Sequence, residues 1–76
     1  MRIPALKARQ LIRILGREGF IRVRQTGSHI LFKHPDGRST LVPYHSGEDL
    51  ERGLMMKILK EDVKFTKNDL ERYFGY

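Results

Sequence analysis

His29, His34 and His45 are the side chains of this 76-residue chain best suited to move a proton near neutral pH, where an imidazole serves as acid or base. Residue type does not choose among them; position does. His29 follows Arg24-Gln25-Thr26-Gly27-Ser28. Gly27 can take the positive φ that a two-residue hairpin loop often requires, and Ser28 completes the loop. The pattern predicts paired strands over Phe20–Thr26 and His29–His34, with His29 at the mouth of the turn that Gly27 and Ser28 form. It is the candidate working residue.

The neighbours of His29 follow from the register those turns impose. Phe20-Ile21-Arg22-Val23-Arg24-Gln25 alternates with the period of a half-buried strand. Pro35-Asp36-Gly37 suits a type I turn with a bulge, leading into a third strand at Ser39-Thr40-Leu41-Val42-Pro43. Thr26 should then face His29, Arg24 face Leu31 and Arg22 face Lys33, while Lys33 faces Ser39, Leu31 faces Leu41 and His29 faces Pro43. One side carries Ile21, Val23, Ile30, Phe32, Thr40 and Val42 and is the predicted core face. The other carries Arg22, Arg24, His29, Leu31, Lys33, Ser39 and Leu41, a basic surface with a histidine at its edge. His45 should return towards that edge, and His34 should point to the opposite side.

Helices must cover the core face. Ala8, Leu11, Ile12 and Leu15 repeat at helical spacing over Lys7–Arg17, with Arg9, Arg13 and Arg17 nearly opposite, and Gly19 is placed to end the helix. Leu54, Met55, Ile58 and Leu59 predict a second helix ending near Asp62. Thr66-Lys67-Asn68-Asp69 has the form of a capping box and starts a third with Leu70, Tyr73 and Phe74. Met1, Met55 and Met56 are read as core or helix filler. The order α-β-β-β-α-α makes an α+β fold, a three-stranded antiparallel sheet packed on helices, in one domain spanning 1–76.

The net charge of +6 is uneven. Met1–Arg24 holds seven Arg or Lys against Glu18 alone, whereas Glu48–Tyr76 has seven acids against six bases. A local basic excess points to an anionic partner, most commonly nucleic acid. The chain has no cysteine, which excludes disulfides and thiolate zinc sites and fits a reducing cytoplasm. No apolar run approaches a membrane span and no signal-peptide core is present, so a soluble, unprocessed chain is expected. A metal site on the three histidines is not expected either, because His34 falls on the wrong face and no acid is fixed nearby as a fourth ligand.

Gly27-Ser28-His29 after a basic strand, His34-Pro35-Asp36-Gly37-Arg38, Val42-Pro43-Tyr44-His45-Ser46-Gly47 and the helix Gly53-x-x-x-x-Ile58-Leu59 together resemble the HicA family of toxin–antitoxin systems. The resemblance covers nearly the whole chain and departs from the family in the Met1–Pro4 lead and the Tyr73–Tyr76 tail. It implies a double-stranded-RNA-binding-domain-like fold, an mRNA interferase activity without a cofactor, and neutralisation by a HicB-like antitoxin. It also implies that the family's catalytic histidine is His29 and its turn glycine Gly27.

RNA carries its own nucleophile, the 2′-hydroxyl, so a metal-independent endoribonuclease needs a base, an acid and cations for the developing phosphorane charge. His29 fits the first two roles, with Arg22, Arg24 and Lys33 as phosphate-contacting residues and His45 as a supporting or second proton-transfer candidate. Val42-Pro43-Tyr44-His45 equally reads as a loop that only shapes the site. Two other readings use the same surface: a non-catalytic RNA-binding module, and a protein-interaction domain for an acidic partner. Leu31 and Leu41 amid the charges suit either an RNA base or an antitoxin.

Overall fold

The structure, a computed structural model, describes residues 3–75. Met1, expected as filler, lies outside the described residues, as do Arg2 and Tyr76. The helical periodicity of the N-terminal segment becomes α1, Ala8–Arg17, which buries Ala8, Leu11, Ile14 and Leu15. Ile12, expected on the dry face, sits at its margin, and Ile14 takes the more buried place. Arg9, Arg13 and Arg17 are exposed on the far side. Gly19 follows the helix at φ +94, a conformation that glycine adopts without strain.

Three antiparallel strands form a sheet in the order β1-β2-β3: β1 is Ile21–Thr26, β2 His29–Lys33 and β3 Ser39–Pro43. The second hairpin has the register its turn predicts, with His29 opposite Pro43, Leu31 opposite Leu41 and Lys33 opposite Ser39. Asp36 stiffens this turn. Its carboxylate accepts from the Arg38 backbone N–H at 3.0 Å and from Arg38 Nε at 2.8 Å. The backbone donor first, then the guanidinium, holds the Asp36 pKa below the ordinary carboxylate value.

The first hairpin keeps its predicted register only near the turn, where Thr26 is opposite His29 and Arg24 opposite Leu31. A bulge at Val23 then shifts the pairing, so that Arg22 lies opposite Phe32 and Ile21 opposite Lys33. The reason is Phe20. Unbroken alternation would put Phe20 on the open side with Arg22 and Arg24, whereas one extra residue reverses the parity and sends the ring into the core. Phe20 is 5% exposed, edge-on to the His34 ring at 5.1 Å and beneath the Arg38 guanidinium. Burying a phenyl ring is worth about 1.5–3 kcal/mol. Ile21 and Val23 are therefore surface residues, 61% and 50% exposed, rather than core, and Arg22 belongs to the helix-covered side instead of the basic face expected for it.

The remaining core-face residues Ile30, Phe32, Thr40 and Val42 are buried as the alternation implies. They meet α1 and a helical segment that begins as α2, Arg52–Lys57, and continues as a π-helical turn over Ile58–Asp62. Glu51 caps α2 by accepting from the backbone N–H groups of Gly53 and Leu54. Met55, Ile58 and Leu59 are fully buried. The predicted capping box is present at α3, Lys67–Phe74, where Asp69 N–H donates to Thr66 Oγ1 and Thr66 N–H to Asp69 Oδ2. Tyr73 stacks on Phe65, so this part of the tail is a packed element. The result is an α+β fold in the order α-β-β-β-α-α, consistent with a double-stranded-RNA-binding-domain-like arrangement, with helices on one side of the sheet.

Candidate functional site

The open side of the sheet is built in rows of paired residues. Thr26, His29 and Pro43 form the first, Arg24, Leu31 and Leu41 the second, and Ile21, Lys33 and Ser39 the third. Gly27 has φ +59 while Ser28 stays at ordinary φ, the pattern of a II′ turn whose twist matches the strands it joins. The turn is tied down from both sides. Tyr44 N–H donates to the Ser28 carbonyl at 2.6 Å, and Gln25 Nε2 donates to the Gly27 carbonyl at 2.9 Å. Arg22 Nη2 donates to Gln25 Oε1, so the arginine displaced by the bulge braces the turn from behind.

His29 is exposed and lies between two grooves. One, of about 280 Å³, is lined by Arg24, Thr26, His29, Leu31 and Leu41. The other, of about 320 Å³, runs over β3 to the helical segment, and its polar wall includes Ser39, Lys57 and Asp62. Distance sorts the cations. Arg24 is diagonal to His29 across the β1–β2 ladder, roughly 7–8 Å between backbone positions, within reach of a long side chain. Lys33 is four residues along the same strand, about 13 Å away at the usual strand rise. It lies on the same face as His29, yet one phosphate group is too small to meet both.

The other histidines are elsewhere. His34 packs against Phe20, its Nε2 is 2.9 Å from the Glu18 carbonyl and its Nδ1 accepts from Asp36 N–H at 3.1 Å; it joins the end of α1 to the second turn. His45 does not return to the His29 edge. Tyr44, held by Ser28 and packed against the core, turns the chain towards the helical layer, and His45 lies beside Lys7 and Arg9 at the start of α1.

Sequence reasoning passed over Lys57 and Asp62. Lys57 Nζ is 3.3 and 3.4 Å from the two carboxylate oxygens of Asp62, and Thr40 Oγ1, the buried polar group of the core face, donates to Asp62 Oδ2 at 2.9 Å. A five-residue separation has no meaning as a pair on an α-helix. Only the π-helical turn could have announced it, and nothing in the local composition does.

Residues 8–62 match the family model described as the HicA toxin of bacterial toxin–antitoxin. The chain belongs to the HicA toxin family. The match takes in α1, the whole sheet and the helical segment through Asp62, so both grooves beside His29 lie inside the HicA region, while α3 lies beyond it. No curated protein matches the chain. Among the described residues, no helix of this HicA toxin is long and apolar enough to cross a membrane.

Proposed function

We propose that this HicA toxin is a metal-independent endoribonuclease that cleaves single-stranded mRNA in the cytoplasm, with His29 as the catalytic acid–base group. The observation that carries the reading is the position of His29: exposed on the uncovered sheet face, at the junction of two grooves, with Arg24 on one side. An imidazole there takes the 2′-hydroxyl proton as the 2′-oxygen bonds to the adjacent phosphorus. The bond from phosphorus to the 5′-oxygen breaks, and the leaving oxygen receives a proton from the imidazolium. Arg24 stabilises the charge that builds on the phosphoryl oxygens. Lys33, further along the face, meets a neighbouring phosphate and sets the register of the strand.

A HicB-like antitoxin is the natural occupant of the same face. Leu41 is 53% exposed and Leu31 half-buried between charged neighbours, which suits an acidic partner with an apolar centre. His45 is a loop residue in this reading and takes no proton.

Purified protein incubated with a long RNA in EDTA tests the activity, and His29→Ala tests the assignment. Cleavage should fall by about 10²–10⁴ in rate while RNA binding and the fold persist, because the His29 side chain lies outside the core. Salt-sensitive binding without cleavage by the wild-type protein would instead establish a non-catalytic RNA-binding module.

A further inference from the structure

The π-helical turn places a cation in the groove that runs from His29 over β3. In an ordinary α-helix, residues five apart point about 140° away from one another around the axis. Here Val63 N–H donates to the Ile58 carbonyl at 2.8 Å, a five-residue closure that widens the turn. Lys57 and Asp62 thereby meet on one side, and both line the groove that His29 also lines.

We infer that Lys57 is a substrate-binding residue of this groove, contacting a phosphate of the RNA strand that His29 cleaves, and that Asp62 positions it. The inference rests on the RNA-cleaving reading. Three observations support it. Lys57 is the cation that lines the His29 groove on the helical side, whereas Arg22 has been turned to the covered side and Lys33 lies along the strand. Its ammonium has three donors, of which Asp62 engages two, leaving one free for a phosphoryl oxygen. Asp62 is itself fixed by the buried Thr40 hydroxyl, so an otherwise flexible side chain is held in place before substrate arrives, the arrangement that preorganised charge stabilisation requires. The cost is local: a carboxylate beside the phosphate weakens binding while it improves placement.

That opposition makes the roles separable. Lys57→Ala should lower kcat/KM on a single-stranded RNA oligonucleotide by roughly tenfold to a hundredfold, as for loss of a hydrogen bond to a charged group. The slope of log binding constant against log salt, measured by anisotropy in a His29→Ala background, should fall in magnitude by about 0.7. Lys57→Arg should recover much of both. Asp62→Asn keeps an acceptor for Thr40, so it should lower kcat with KM unchanged or reduced. A folded Lys57→Ala protein with wild-type kcat/KM and an unchanged salt slope would overturn the assignment while leaving RNA cleavage by His29 intact. A wild-type protein that never cuts RNA, yet loses one phosphate contact in Lys57→Ala, would sink the cleavage reading and keep Lys57 as a phosphate ligand.

Discussion

Replacing Gly19 by alanine should unfold this protein at a much lower temperature, although the position is exposed and the added group is one methyl. The backbone there has φ +94, and an added Cβ would stand 3.0 Å from His34 Nε2. Holding an L-residue in such a conformation costs about 1–3 kcal/mol. His34 cannot simply swing away, because its ring is fixed by the Glu18 carbonyl, the Asp36 N–H and the edge of Phe20; weakening one of these hydrogen bonds adds about 0.5–1.5 kcal/mol. The sum, about 1.5–4.5 kcal/mol, is a large share of the stability of a small domain and corresponds to a fall in Tm on the order of 10–30 °C. Gly16→Ala is the matched control. Nothing lies within 4 Å of its added Cβ and its φ is ordinary, so the substitution should raise Tm by a few degrees through helix propensity. Thermal melts followed by circular dichroism check both. A Gly19→Ala protein melting within about 2 °C of wild type would refute the reasoning. So would a change in cleavage rate per folded molecule, since His34 lies outside both His29 grooves.

The bulge at Val23 predicts a contrast between neighbouring arginines: Arg24→Ala should reduce the salt slope of RNA binding by about 0.7, and Arg22→Ala should leave that slope unchanged, as anisotropy titrations at several salt concentrations would reveal. Stability should also depend on acid. The backbone N–H groups of Gly53 and then Leu54 lower the pKa of Glu51, and the Thr66 N–H foremost lowers that of Asp69. Carboxylates with depressed folded-state pKa values stabilise fully above the unfolded value of about 4 and lose that contribution as pH falls through the lower, folded value. Tm should therefore be flat from neutral pH to about 5 and decline below 4; a Glu51→Gln, Asp69→Asn double variant should show a shallower decline, and an identical acid profile would count against these caps.

Turn chemistry made much of the fold legible. Gly27-Ser28 and Pro35-Asp36-Gly37 set the whole β2–β3 register and the His29 end of β1. Thr66 and Asp69 announced α3 by a local reciprocal bond that needs no tertiary context. The bulge was not legible, because Ile21-Arg22-Val23-Arg24 alternates perfectly and only the burial of Phe20 against His34 breaks the parity. For the same reason the alternation alone places Arg22 on the basic face and Ile21 and Val23 in the core. His29 could be singled out by its place at the turn. The Lys57–Asp62 pair in the same groove could not, since these two become neighbours through a π-helical turn and a hydrogen bond to Thr40, both decided by packing between segments far apart in the chain.

The bulge also bears on how the free protein behaves towards other copies of itself. β1 is an edge strand, and a flat edge presents a row of unpaired backbone donors and acceptors on which another chain can add a strand. Exposed Ile21 and Val23 would make that addition sticky. Val23 twists the ladder at the middle of the edge, and Arg22 and Arg24 on either side would bring like charges together whenever two such edges met antiparallel. One extra residue, inserted to bury a phenyl ring, thus also spoils the template for self-assembly.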